Sequence, residues 1–378
     1  MTGPVMLAAG GTGGHLFPAR ALAGALIDRG RDVVFVTDRR GVDLGTGLQG
    51  VPVYTVRSAA MAGRKLTGRV TGVVDLLRGT WEARRLTKTL GASCVVGFGG
   101  YPSVPPVLAA TRVPLPTVIH EQNSVLGRAN RLLAPRVDVI ATSFADTARL
   151  DEAGRARVVL TGNPVRPEIA ALANQSYMPP NGDGRLRVLI VGGSQGASIL
   201  SRVLPEALAT MPSGARRLLV ITQQCRPEDL DGVRQAYESL GVQATLQSFF
   251  DDMAGRLGEA QLVIGRAGAS TVAEIAAAGK PAILVPYRHA ADDHQTVNAM
   301  AVEADGAGWL MPEQAFTAEA LAARLEALIA TPQTLRTAAE NARQRARVDA
   351  ASALADEVER LVPGNGDGHD ALIRPEAA

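Results

Sequence analysis

The chain has 378 residues, enough for two domains of ordinary size, and 46% of them are apolar. Its two cysteines, Cys94 and Cys225, exclude a disulfide framework and a cysteine-rich zinc site, and an aromatic content of 4% with no reader motif argues against nucleic acid. The net charge is only +2, yet residues 1–160 hold 20 Lys and Arg against 11 Asp and Glu while the remainder holds 19 against 26, so the first half is expected to meet something anionic.

The first 14 residues have no basic start and no long apolar core, so they do not read as a secretory leader, and no stretch approaches 18 uncharged apolar residues. An apolar run at 5–9 leads into Gly10-Gly11-Thr12-Gly13-Gly14-His15, an amphipathic stretch at 17–29 and a second apolar run at 32–37. Strand, glycine turn, helix and strand make a βαβ unit. Residues 57–88 then carry Arg57, Arg64, Lys65, Arg69, Arg78, Arg84, Arg85 and Lys88 against Asp75 and Glu82. Met61, Leu66, Val70, Val73, Val74, Leu76, Leu77 and Trp81 are interleaved with them. Basic plus apolar residues in this mixture suit docking on an anionic leaflet; the plainer alternative is an amphipathic helix on the sheet with a solvated basic face. Further strand candidates at 93–97, 116–120, 137–142 and 157–160 are spaced for parallel strands with helical crossovers.

The pattern restarts at 186. An apolar run at 186–191, the turn Gly192-Gly193-Ser194-Gln195-Gly196 and a helix candidate at 197–210 repeat the opening of the chain about 180 residues later. Strand candidates follow at 217–222, 244–248, 262–265 and 282–286. The expectation is an α/β protein of two Rossmann-like domains in tandem, each a doubly wound parallel sheet. Residues 1–163 form the first domain and 164–345 the second, a helix at 346–362 returns to the first, and a polar tail at 363–378 is disordered.

A glycine turn between strand and helix brings backbone N–H groups and the positive helix end to an anion. Neither of the first two turns matches the dinucleotide fingerprint with its acidic partner, and neither ends in the Lys-Ser/Thr of a P-loop, so NAD and ATP hydrolysis are disfavoured. A third turn, Gly265-Arg266-Ala267-Gly268-Ala269-Ser270-Thr271-Val272-Ala273-Glu274, is more telling. Ser270 or Thr271 is placed to cap a helix whose N–H groups meet a diphosphate, and Glu274, one turn in, to accept two ribose hydroxyls. A capping box of Thr271 and Glu274 explains the same spacing.

Pro286-Tyr287-Arg288-His289 ends a strand, and Asp292-Asp293-His294-Gln295 opens a helix candidate at 296–304, a position where open α/β sheets bind ligands. His15, at the first helix N-terminus, is favoured as the neutral imidazole, which suits a general base; a structural histidine contacting a backbone carbonyl is the alternative. His120-Glu121-Gln122-Asn123 is a second polar cluster at a strand end. The one Asp-x-Asp, Asp229-Leu230-Asp231, reads as an acidic helix start rather than a metal site. A metal-free site must stabilise a leaving diphosphate with helix N-termini and with Arg166 or Arg266.

Taken in order, these segments resemble the peptidoglycan N-acetylglucosaminyltransferase family MurG over residues 5–360. The resemblance also rests on Gly97-Phe98-Gly99-Gly100-Tyr101-Pro102-Ser103, Thr161-Gly162-Asn163-Pro164-Val165-Arg166 and His294-Gln295-x-x-Asn298-Ala299. It implies a GT-B fold, in which the two domains face each other across a cleft. It implies inverting transfer of N-acetylglucosamine from UDP-N-acetylglucosamine to the muramoyl O4 of undecaprenyl-diphospho-MurNAc-pentapeptide, without cofactor or metal. Its pattern places Glu274 on the ribose, Ser194 and the turn Ala269, Ser270 and Thr271 on the diphosphate, Gln295 on the sugar and the Phe250 backbone on the uracil. Thr12, Gly13, Gly14, Asn123 and Arg166 line the opposite wall with Arg266 among the donor contacts; Gly99, Gly100, Tyr101 and Glu121 face the acceptor; His15 is the base. A peripheral location on the cytoplasmic side of the cell membrane follows, with cell-wall synthesis and division proteins as partners. A diacylglycerol glycosyltransferase and a non-enzymatic cell-wall scaffold with a degenerate nucleotide site are the competing readings.

Overall fold

The computed structural model describes residues 3–10, 13–38, 50–58, 66–150, 156–180, 184–193 and 196–362. Two parallel sheets organise them. The first contains β1 (Val5–Ala8), β2 (Val33–Thr37), β3 (Val53–Thr55), β4 (Cys94–Gly97), β5 (Thr117–Glu121), β6 (Val139–Thr142) and β7 (Arg157–Leu160), in the order β3-β2-β1-β4-β5-β6-β7. The second contains β8 (Leu186–Val191), β9 (Leu219–Gln224), β10 (Gln243–Gln247), β11 (Leu262–Gly265), β12 (Ala282–Leu284) and β13 (Gly308–Leu310), in the order β10-β9-β8-β11-β12-β13. The second is the doubly wound 3-2-1-4-5-6 arrangement and the first is the same with a seventh strand, β7, added at its edge; the switch point beside the first strand is where ligands settle.

Local sequence explains the central strands. β1, β4, β6 and β11 are buried at every position, because helices cover both faces of a parallel sheet. The edges are different. β3 and β13 are three residues each, and neither was legible as a separate apolar run. They exist because β2 and β12 offer unpaired edges: Phe35 aligns with Val53, and Ile283 with Trp309.

Five helices matter for the cleft. α1 (Gly13–Asp28) follows β1 and α2 (Leu66–Leu90) precedes β4; α3 (Ala269–Ala277) follows β11 and α4 (His294–Ala304) precedes β13. The last, α5 (Ala350–Leu361), packs on the first domain: Leu354, Ala355, Val358 and Val362 share a core with Leu22, Leu26 and Phe35. Arg29 pairs with Asp356 and Glu359, Arg31 with Glu359 and Arg157 with Glu357, which tie the helix down along its polar edge.

The return of the chain runs beside its first crossing. Gly162, just beyond β7, has φ +85, and a Cβ there would stand 2.7 Å from Cβ of Arg347 and 3.2 Å from that of Ala350. A residue with a side chain fails at this position twice, through backbone strain and through overlap.

Candidate active site

The cleft is bounded on the second domain by the turn after β11. Gly268 is the N-cap of α3, with extended backbone (φ −66, ψ 144), and no side chain caps the helix. Neither Ser270 nor Thr271 is therefore the cap, and no Thr271–Glu274 capping box forms; both hydroxyl residues sit inside the first helical turn. The N–H groups at this helix end consequently lack a side-chain acceptor and suit an oxyanion. The Ser270 hydroxyl is also buried without a hydrogen-bond partner among the described residues. Glu274 stands one turn further in. Its carboxylate accepts from Nε of Arg166 at 3.0 Å, and the Arg166 guanidinium lies 5.4 Å above the Phe17 ring of α1. Burial raises the Glu274 pKa, and the Arg166 charge opposes that rise.

Arg266 is spent differently from expectation. Its guanidinium donates to the carbonyls of Val285 and Pro286, pairs with Glu313 at 2.6 Å and lies 5.4 Å from the Tyr287 ring centre. Both charged side chains are largely buried, so this cation is already neutralised as a strut of the strand end. The Gln295 carbonyl oxygen accepts from the backbone N–H of Tyr287 at 2.9 Å, which pins the start of α4 to the end of that strand. Phe250, beyond β10, is buried with Ala267 and Val272 behind the third turn.

The first domain supplies the other wall. His15, in the first turn of α1, has its ring against three glycines. A Cβ at Gly100 would be 3.3 Å from its Cδ2 and 3.6 Å from its Nε2, and one at Gly10 would be 3.4 Å from Cδ2. Gly99 and Gly100 have φ +82 and +71, a turn that glycine enters without strain and that leaves room for the imidazole. Burial lowers the His15 pKa; Glu121 and the Gln122 hydrogen bond oppose this, and His294 adds to it. Tyr101 opens a short 3-10 turn directly after the glycines. Gly13 and Gly14 form the first residues of α1, while Thr12 and Ser194 lie outside the described residues.

Glu121 does not offer a free carboxylate. It is buried and takes four hydrogen bonds, from N–H and Nδ2 of Asn123 and from Gly127 N–H and Asn130 Nδ2. A buried carboxylate needs such a set of donors, and here they fold the loop 121–130 around it.

Two interdomain contacts had no assigned role in the sequence. Asn298 of α4 is fully buried; its Oδ1 accepts from Ser124 N–H at 2.9 Å and Ser124 Oγ at 2.8 Å, while Nδ2 donates to Asn123 Oδ1 at 3.1 Å and the Ala267 carbonyl at 3.0 Å. Asp292 lies at the other contact: Oδ2 is 3.0 Å from Arg131 and 3.4 Å from Arg128, and Oδ1 is 3.8 Å from Arg149. Arg149, Asp292 and Asp293 are the non-glycine residues with positive φ among the described residues, so backbone strain concentrates where the domains touch. The signal for Asn298 was its place in the His294-Gln295-x-x-Asn298-Ala299 pattern; Asp292 was marked only as part of a polar strand end suited to a ligand, and its arginine partners were not legible.

The model of the glycosyltransferase family 28 N-terminal domain matches residues 5–142, and that of the glycosyltransferase family 28 C-terminal domain matches residues 187–354. A protein of Rhodospirillum centenum is 53% identical over 355 residues, covering 94% of this chain and 93% of its own length. One of Paramagnetospirillum magneticum is 50% identical, covering 95% and 97%. Both are named UDP-N-acetylglucosamine–N-acetylmuramyl-(pentapeptide) pyrophosphoryl-undecaprenol N-acetylglucosamine transferase.

The chain belongs to the MurG family.

The crystal structure of MurG from Acinetobacter baumannii superposes with a TM-score of 0.76 at 33% identity, covering 95% of this chain and 99% of that one. A UDP-glucose:anthocyanidin 3-O-glucosyltransferase in complex with UDP matches at 0.65 and 13% identity, which speaks for the shared GT-B fold alone. Arg166 links the two sides: it holds Glu274 of α3 and lies over Phe17 of α1, the helix that carries His15.

Proposed function

We propose that this chain transfers N-acetylglucosamine from UDP-N-acetylglucosamine to the muramoyl O4 of undecaprenyl-diphospho-MurNAc-pentapeptide, with inversion, at the cytoplasmic face of the membrane. The observation that carries this reading is the uncapped N-terminus of α3 in a MurG-family chain, with Glu274 one turn in and held by Arg166, which lies over Phe17 of the helix that carries His15. In a single in-line displacement, the bond from O4 to the sugar C1 forms as the bond from C1 to the diphosphate oxygen breaks. His15 accepts the O4 proton, and UDP leaves with the electron pair. Residues 1–163 serve as the acceptor- and membrane-facing domain and 164–345 as the donor domain, with 346–362 returning to the first.

The donor roles follow from position. N–H groups of Ala269, Ser270 and Thr271, with Ser194 from the preceding turn, meet the diphosphate; Glu274 takes the ribose hydroxyls, Gln295 the sugar and the Phe250 backbone the uracil. Thr12, Gly13, Gly14, Asn123 and Arg166 close the site from the opposite side. Because Arg166 now holds Glu274, ribose binding shares or displaces that ion pair. Glu274→Ala should weaken UDP-N-acetylglucosamine binding by about 1–3 kcal/mol, read by calorimetric titration; an unchanged affinity takes Glu274 off the ribose. Gly99, Gly100 and Tyr101 face the acceptor directly, and Glu121 acts by holding the loop that carries Asn123.

Helix-end N–H groups carry the charge that a divalent ion carries in metal-dependent sugar transfer, so the reaction proceeds without one. The test uses radiolabelled donor with the undecaprenyl-linked acceptor and, separately, with diacylglycerol. Label should enter the first alone, at a rate within about twofold in the presence of EDTA, since no step draws on a Lewis acid. Transfer to diacylglycerol only, or loss in EDTA, rejects the corresponding claim.

No helix among the described residues is long and apolar enough to cross a membrane. Docking is instead assigned to α2, where Val73, Val74, Leu77 and Trp81 are 46%, 39%, 59% and 59% exposed along one face. Arg78, Arg84, Arg85 and Lys88 are exposed on the same helix, and the Arg85 guanidinium sits 4.9 Å from the Trp81 ring centre. Apolar residues enter the interface while cations meet anionic headgroups. Met61, Arg64 and Lys65, and the side chains of Leu66, Arg69 and Val70, lie outside the described residues. Leu77→Glu with Trp81→Glu should lower binding to anionic vesicles by at least about tenfold, given roughly 1.5–3 kcal/mol for each large apolar side chain buried; sedimentation with vesicles unchanged would remove this face from the interface. Cell-wall synthesis and division proteins remain the expected partners at that surface.

A further inference from the structure

Behind His15 lies a row of polar groups that its role as a base does not by itself require. His15 Nδ1 is 3.1 Å from Oε1 of Gln122. The Gln122 amide nitrogen is 3.0 Å from the Phe98 carbonyl, 3.1 Å from the His120 carbonyl and 3.0 Å from His120 Nδ1. His120 Nε2 is in turn 2.9 Å from the carbonyl of Gly162. Gln122 and His120 are both buried.

The hydrogens in this row are dictated by its fixed ends. A backbone carbonyl only accepts. Two of them, from Phe98 and His120, face one end of the Gln122 amide, so that end is the NH2 group and the end facing His15 is the carbonyl oxygen. The Gly162 carbonyl faces His120 Nε2, so that nitrogen carries hydrogen. Burial brings the His120 pKa down to about 4, so the ring is neutral near pH 7 and its Nδ1 is an acceptor for Gln122. The Gln122 oxygen can only accept, so His15 Nδ1 must donate. A neutral imidazole holds one N–H, and the lone pair is therefore left on Nε2, on the ring edge beside Gly100 of the turn 97–103.

We infer that Gln122 and His120 are positioning residues that fix His15 in its Nδ1–H tautomer, so that Nε2 is the nitrogen that takes the proton from the acceptor hydroxyl. The inference rests on His15 being the base. It gives a job to two buried polar side chains of the His120-Glu121-Gln122-Asn123 cluster, and it explains why the loop 97–103 has glycine beside the imidazole. The proton path is short. O4 loses its proton to Nε2, the imidazolium then carries hydrogen on both nitrogens, and the Gln122 oxygen keeps accepting from Nδ1. The charged groups facing His15 are Glu121 from β5, which favours the imidazolium, and His294 from α4, which disfavours it; His120 sits behind Gln122.

Nitrogen-15 labelling of the five histidines, with His15→Gln to assign the resonance, reads the tautomer directly in the full-length protein. Wild type should show His15 with a protonated Nδ1 and a bare Nε2; a protonated Nε2 overturns the inference outright. Gln122→Met keeps the length of the side chain and removes its hydrogen bonds. It should populate the other tautomer and lower kcat about 10- to 100-fold while leaving the KM for UDP-N-acetylglucosamine within about twofold, since only the base is disoriented. Gln122→Glu places a carboxylate on Nδ1–H, which favours the imidazolium, and should move the acid limb of the kcat/KM profile to higher pH. A wild-type kcat in Gln122→Met together with an unmoved limb in Gln122→Glu also overturns it. If His15→Gln keeps full activity, the base assignment itself is wrong. If His15→Gln is inactive but the Gln122 variants and the tautomer are indifferent, the base stands and only the positioning role is lost.

Discussion

Replacing His15 with glutamine should lower kcat by about 10²- to 10⁴-fold, the ordinary worth of a positioned general base, equivalent to roughly 3–5 kcal/mol of barrier. Glutamine fills the space between Gly10, Gly99 and Gly100 and can still reach Gln122, so the fold of the turn is kept while the titratable nitrogen is lost. UDP-N-acetylglucosamine affinity should stay near that of the parent, because the contacts proposed for its diphosphate, ribose, sugar and uracil lie on the other domain and the His15 side chain is not among them. The pH dependence has a definite sign. The base works as the neutral imidazole, burial lowers the His15 pKa below its ordinary value of 6.5, and activity is therefore complete above that lowered value and falls as pH drops through it. Single-turnover rates across a pH series, with a parallel donor titration, check both parts. A glutamine variant within tenfold of the parent would falsify the assignment of His15 as base.

Asn298→Ala is expected to have the largest effect on the protein as a whole. An asparagine side chain has two donors and an acceptor with two lone pairs, and Asn298 uses all of them: two bonds to Ser124, one to Asn123 and one to the Ala267 carbonyl. Truncation leaves the Ser124 N–H and the Ala267 carbonyl buried and unpaired, at about 1–3 kcal/mol each, so a total of roughly 2–6 kcal/mol is expected. Ser124 and Asn123 belong to the first domain and Ala267 to the turn before α3 in the second. Losing the side chain therefore loosens one wall of the cleft from the other. Thermal unfolding should begin earlier, and KM for donor should rise together with a fall in kcat. A variant with the parent's melting temperature and KM would show that the two walls are held by other contacts.

The halves of the fold were legible because each opens with a strand, a glycine turn and a helix, and the turns at 10–14 and 192–196 punctuate both apolar runs. The central strands announced themselves as short apolar runs, since a parallel sheet buries both faces. β13 did not: Gly308, Trp309 and Leu310 carry no distinctive pattern, and only the edge of β12 makes them a strand. Among the cleft residues, chemistry was readable and partners were not. Sequence set Arg266 beside the third turn, but its partner, Glu313, is 47 residues away and is chosen by packing. The same holds for Glu121, which the family resemblance set facing the acceptor and whose buried carboxylate holds the loop 121–130. Asp292 meets Arg128, Arg131 and Arg149 only because both sheets are already built. Spacing along the chain has no access to such encounters.

The chain passes between the two sheets twice, once beyond β7 and once on its way into α5, and at Gly162 and Arg347 the passages nearly touch. A single flexible tether would let the halves twist and swing in any direction. Two tethers side by side act as adjacent pins of a hinge: they leave rotation about one line and suppress the rest. Any rotation of one half on the other is thereby confined to a single arc.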